Sequence, residues 1–130
     1  MTSAAATTTT APMADRPRSR PRLPSHIRHW LAAELAASTT AADPWPHLER
    51  AHIVSQPWAW PHTRVHFQML KVAVRQRDRR ELVGQIIRTA VAGPGSLAGR
   101  YPIGNTGRTT MGLTERADLP DELARVLGRT

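Results

Sequence analysis

Apolar residues return every three or four positions through most of the chain's centre, and they fall into four runs. Ile27, Trp30, Leu31 and Leu35 share one stripe of a helix, with Glu34 at its edge and Ser25 in the place of a cap. Asp43 followed by Pro44 predicts a second start, and Pro57 stops that helix at about Gln56. After the turn PWAW, Pro61 opens a third helix that reaches about Gln76. Asp78 and Glu81 make a D-x-x-E capping box ahead of a fourth, which stops at Gly93–Pro94–Gly95.

Beyond Gly95 the periodicity fades into a stretch rich in glycine and threonine, read as an ordered loop or wrap-around tail. DELARVLG predicts a last short helix with Leu123, Val126 and Leu127 on one side. Helices joined by short turns make antiparallel hairpins, so the expected fold is all-α, a small bundle of about four helices in two hairpins. The expected division is a disordered extension over residues 1–24, a helical domain over 25–107 and a tail over 108–130. Residues 1–24 are Ala, Thr, Pro and Arg with few large apolar residues, too little to offset their ordering entropy.

The wheel of the third helix contains an anomaly. With Val65 at 0°, Met69, Val72 and Ala73 fall between about −20° and 80°, while Arg64, Gln68, Lys71 and Arg75 gather on the opposite side. His62 and His66 fall at about 60° and 100°, within the apolar arc. In the second helix His52 shares the face of Trp45 and Leu48, Glu49 lies at its edge, and His47 points to solvent. Folding the hairpin about Pro57–Trp60 brings His52 and His66 to similar heights, with Glu49 and His62 a turn to either side.

Two chemistries fit four inward groups of this kind. They form a metal site of Glu49, His52, His62 and His66, since His at i and i+4 presents two nitrogens to one ion and E-x-x-H supplies a carboxylate and a third. Zinc is the default, with iron or manganese acceptable. Alternatively they are a hydrogen-bonded core network, with Glu49, Gln56, Gln68 or backbone carbonyls as partners. His–Glu acid–base catalysis is weaker, because no nucleophile can be named and the chain leans away from an enzyme. His26 and His29 read as surface or helix-packing residues.

Charge and composition change this picture little. The formal charge is +8, carried almost wholly by arginine. RQRDRR offers Arg75, Arg77, Arg79 and Arg80 to nucleic-acid phosphates, but without aromatic platforms, and a solvated turn is the plainer reading. PIGNTG lacks the phosphate-loop spacing and reads as a tight turn. Absent cysteine excludes disulfides, thiolate zinc sites and thiol nucleophiles. No apolar run is long enough to span a bilayer, and no secretory leader is seen, so a cytoplasmic location is expected.

In order along the chain, HLERAHIVSQ, PHTRVHFQML, RRELVGQIIRTAVAGPGSLAGR and PIGNTG resemble a family of small bacterial helical proteins of unknown function. The resemblance covers about residues 30–107, with an echo in DLPDEL. The family's H-L-E-R-A-H helix is similar to the first helix of a tetratricopeptide-like hairpin, which implies an interaction scaffold. Some relatives are encoded near heavy-metal-resistance genes, which favours the metal reading. The family's histidines fall here on His47, His52, His62 and His66, and its acid on Glu49. The chain departs after Gly107, with RTTMGLT where the family carries a second glycine and an S-A-F-like stretch. The expected function is therefore a non-enzymatic binding or adaptor module with another protein as partner. A metal-binding accessory protein is the alternative, and a nucleic-acid-binding protein the third reading.

Overall fold

Residues 21–129 are described in a computed structural model. They form α1 (Ser25–Thr40), α2 (Trp45–Ser55), α3 (Ala59–Gln76), α4 (Arg79–Leu97) and α5 (Asp121–Val126), with no strand among the described residues. The all-α expectation holds. Helix α1 packs on α2, α2 on α3 and α3 on α4, and α5 closes against α2. The expected disorder of residues 1–24 falls mostly outside the described residues. Of its described part, Leu23 packs on the core.

Local chemistry explains the helix ends, with five departures from expectation. Pro24, not Ser25, holds the N-cap position of α1. Asp43 does serve α2, its Oδ1 accepting the Trp45 N–H at 3.1 Å, but Pro44 sits in the cap position itself. Helix α3 begins at Ala59, before Pro61, because Trp58 is extended and Pro61 falls within the first turn, where its missing N–H is no loss. Helix α4 runs through Gly93–Pro94–Gly95 to Leu97. Pro94 removes one interior donor, but the backbone recovers beyond it, with Ala98 N–H bonded to Pro94 O and Arg100 N–H to Gly95 O. Only half of the capping box forms. Asp78 accepts from Glu81 N–H at 2.9 Å, while the Glu81 carboxylate turns inward.

The apolar core lies between α1, α2, α3 and α5. It centres on Leu48, Val54, Val65 and Met69, with Ile27, Leu31, Trp45, Val72 and Leu123 around them. Helix α4 contributes nothing to this cluster. Its buried face is Glu81, Gln85, Arg88, Ala92 and Ser96, and its exposed face carries Val83, Ile86, Ile87 and Val91. An ordinary amphipathic helix does the reverse. Something inside the bundle requires polar groups from α4.

Candidate metal centre

That requirement comes from three imidazoles. His52 from α2 and His62 and His66 from α3, one turn apart, are 3 %, 5 % and 2 % exposed. Their ring centroids are 4.6–4.9 Å apart. His52 Nε2 lies 2.9 Å from His62 Nε2 and 3.0 Å from His66 Nε2.

Where the protons sit follows from the outer nitrogens. His52 Nδ1 is 2.7 Å from the Asn105 carbonyl, which can only accept, so Nδ1 carries the proton. His66 Nδ1 is 2.8 Å from Gln85 Oε1. The orientation of that amide is fixed, because Gln85 Nε2 donates to Glu81 Oε1 and to the Gly107 carbonyl, both at 2.8 Å. His62 Nδ1 is 2.8 Å from Ser96 Oγ, whose single proton is already given to the Gln56 carbonyl at 2.6 Å. All three rings are therefore Nδ1–H tautomers. All three Nε2 lone pairs face one another with no proton among them.

Lone pairs at 2.9–3.0 Å repel unless a cation stands between them. Burial disfavours the simplest cation, a proton. It pushes His52 well below its ordinary value of 6.5, with His66 and His62 adding to the effect and the Asn105 carbonyl opposing it. Burial and then His66 lower His62 to about 3, against the Ala92 carbonyl. Burial lowers His66 to about 4, opposed by Gln85 and assisted by Arg88. The three nitrogens can hold a metal ion: one donor atom from each ring lies within 4.8 Å of the others. Zinc–nitrogen bonds of ~2.0–2.1 Å in a tetrahedron set nitrogens about 3.3 Å apart, so His62 and His66 need each draw back from His52 by only a few tenths of an ångström. Beside the triad a cavity of about 210 Å³ opens toward the α4 exit and the tail.

The lineage is decided by comparison with protein families, since residues 24–127 match a family described as a protein of unknown function (DUF3703). The chain belongs to the DUF3703 family. The match runs from the start of α1 through α5 and so takes in every residue of the triad and its partners. Neither the curated proteins nor the solved structures compared with it gave a match.

In this DUF3703 chain the oxygens that hold the rings belong to α4 and to the tail. Gln85 links His66 to Glu81, which also accepts from Thr109 N–H and Thr109 Oγ1 and lies 3.2 Å from Arg108 Nε. Burial pushes the Glu81 carboxyl up, but hydrogen bonds from Gln85, Thr109 and Arg108 outweigh it and hold the group below its ordinary value. Gly84 admits Thr109 at this point, since a Cβ there would run into the Thr109 methyl. On the other side Asn105, 1 % exposed, pins its own turn. Its Nδ2 donates to the Gly112 and Glu115 carbonyls, and its Oδ1 accepts from Gly107 N–H. Gly107 has φ +81, and a Cβ on it would lie 2.7 Å from His52 Cδ2. The GNTG segment is thus a tight turn, as expected, and it closes directly over His52.

Of the four candidate metal ligands, three meet and one does not. Glu49 lies outside the triad, its Oε1 accepting from Arg108 Nη1 at 3.2 Å. Burial raises its pKa against the pull of Arg108. Arg108 itself stacks 3.6 Å from the Trp45 ring centroid, so it captures Glu49 and Glu81 together. His47, expected to face water, bonds Glu34 at 2.9 Å and is only partly exposed. His26 and His29 are exposed, and His26 reaches the Val126 carbonyl. Arg75, Arg77, Arg79 and Arg80 are exposed at the α3–α4 junction around Asp78.

Sequence reasoning offered Glu49, Gln56, Gln68 or backbone carbonyls as partners for the rings; the backbone carbonyl of Asn105 does serve His52, while the side chains that serve His66 and His62 are Gln85 and Ser96. One signal pointed to Gln85 and Ser96. With Glu81 and Arg88 they recur at helical spacing as a polar stripe.

Proposed function

We propose that this protein binds one divalent transition-metal ion through Nε2 of His52, His62 and His66. The observation that carries the reading is the tautomer set: each Nδ1–H is committed to an oxygen, and three bare lone pairs converge. Neutral imidazoles whose far N–H is held by a carbonyl, amide or hydroxyl are the usual supporting arrangement of metal-bound histidine. Three nitrogens and no neighbouring carboxylate favour zinc over manganese, with iron acceptable. Three protein ligands leave a fourth position for water or another ligand. The role this supports is that of a metal-binding accessory protein.

The test uses protein purified without a histidine tag. Metal analysis finds close to one equivalent of metal per chain, and zinc, iron or manganese raises the melting temperature of chelator-treated protein. His66→Ala loses both properties. Protein that neither retains metal nor gains stability from any of the three ions removes the reading.

A second reading, a module that docks another protein chain, is favoured by the outward apolar stripe Val83, Ile86, Ile87 and Val91 of α4. The partner such a stripe fits most simply is the same stripe of a second copy related by a two-fold axis. Sedimentation of the wild type and of Ile86→Glu/Ile87→Glu tests it. A dimer that the double variant abolishes supports it, and a wild-type monomer at all concentrations removes it.

A further inference from the structure

Arg88 lines the cavity beside the three histidines and takes no part in holding their rings. It is 8 % exposed. Its Nη2 donates to the carbonyls of Arg108 at 3.1 Å and Met111 at 2.6 Å, so the tail tethers the guanidinium. Its Nε is buried with no acceptor. An unpaired buried donor on a charged group costs about 1–3 kcal/mol or more; Arg50, Trp58 and Arg108 carry unpaired buried donors too, but of the four residues Arg88 alone lines this cavity.

No carboxylate pairs directly with this charge, and Glu81 offsets it only through space. Among the described residues Arg88 enters no ion pair, and both oxygens of nearby Glu81 are occupied by Gln85, Thr109 and Arg108. Arg88 lines the same cavity as His52, His62 and His66, which places its charge on the wall of the space that the metal would face. A dication and a guanidinium lining one cavity call for an anion. Much of the remaining wall is apolar, with Val91, Ala92, Pro102 and Leu113.

We propose that the cavity takes a small monocarboxylate, one oxygen on the open position of the metal and the other accepting from Arg88 Nε–H. This rests on the reading of the triad as a metal site. A carboxylate has two oxygens and one charge, which match one metal position and one N–H. A space of about 210 Å³ holds several water volumes of ~30 Å³, enough for a carboxylate with a short branched tail against Val91 and Leu113. Arg100, Tyr101 and Thr114 also line the space, so inorganic phosphate is the competing ligand that the titration includes.

The experiment uses the full chain loaded with cobalt(II), whose visible bands report both coordination by the histidines and any change of the fourth ligand. Sodium isobutyrate is titrated against it, with inorganic phosphate as comparison. The bands shift with isobutyrate, phosphate binds at least about tenfold more weakly, and Arg88→Met keeps the cobalt bands but needs at least about tenfold more isobutyrate. Cobalt bands that ignore isobutyrate, that respond equally in Arg88→Met, or that respond as well to phosphate overturn the carboxylate site and leave the metal site standing. Absence of cobalt bands in the wild type overturns the metal site and the carboxylate with it. Should Arg88→Met fail to fold, the Arg88 Nε–H resonance of zinc-loaded wild-type protein decides. Movement on adding isobutyrate supports the proposal, and a stationary resonance overturns it.

Discussion

His66 reaches His52 with Nε2 at 3.0 Å while turning Nδ1 to Gln85 at 2.8 Å. One ring thus joins the convergent nitrogens to the polar face of α4. Gln85 is the residue through which the fourth helix sets the tautomer, and its other end is fixed by Glu81 and Gly107.

Replacing Gln85 by Leu leaves His66 Nδ1, the Glu81 carboxylate and the Gly107 carbonyl without this partner. Zinc affinity is expected to fall about 10–100-fold. Metal-free stability falls by about 1–3 kcal/mol, from the unpaired buried groups. Competition against a chromophoric chelator and urea unfolding measure the two effects separately. Unchanged affinity would mean that the tautomer of His66 is not set through Gln85.

Truncating a ligand is more severe than truncating its support. His52→Ala removes one of three nitrogens and lowers zinc affinity at least about 100-fold, given the 10–16 kcal/mol that a full ligand set supplies. Glu49→Gln is expected to change it by less than about threefold, because Glu49 is held by Arg108 away from the triad. The same chelator competition ranks the two variants. Equal losses would return Glu49 to the metal.

Gly107→Ala puts a methyl group against the His52 ring, 2.7 Å from Cδ2, at a φ of +81 that suits glycine. The strained backbone alone costs about 1 kcal/mol, and the clash adds to it by displacing the ring or the turn. Expected outcomes are a lower melting temperature and weaker zinc binding together, read by calorimetry with and without metal. A variant that loses neither shows that the turn is free to retreat from His52.

Acid should destabilise the metal-free protein earlier than carboxylates alone would. His62 at about 3 and His66 at about 4 stay neutral in the native state, while the unfolded chain takes up their protons below pH 6.5. His52, well below 6.5, acts in the same sense. The unfolded form therefore binds more protons as pH falls from 6.5 toward 4, and stability drops through that window by up to about 1.4 kcal/mol per pH unit for each ring. Glu81, held below its ordinary value, extends the loss to lower pH. Urea midpoints of chelator-treated protein between pH 7.5 and 4.5 test this, and a flat profile would show that the rings titrate as in water.

The helices and the inward turn of His52, His62 and His66 were legible because both depend on residues close in sequence. Periodicity near 3.6 places a residue on a face, and Pro57 and Pro61 mark the hairpin between the two faces. Glu49 was assigned inward because the wheel puts it at the edge of the apolar arc. An edge position can turn either way, and its partner, Arg108, lies 59 residues away. The end of α4 was misplaced because a Gly-Pro-Gly sequence normally stops a helix, and the contacts that carry it on to Ser96 involve Gln56 and His62 from other helices.

By itself the sequence determined that the chain is helical and that three imidazoles face inward, since a helix repeats every turn regardless of what packs against it. The tertiary structure alone decided which nitrogen of each ring carries the proton, that α4 buries its polar stripe, and that Arg88 ends beside the triad. Those outcomes depend on acceptors from Gln85, Ser96 and Asn105, between 19 and 53 residues from the rings they hold. Hydrogen bonds over such separations are fixed by the packing of whole elements; a local pattern can mark a stripe as polar but not say which groups it meets.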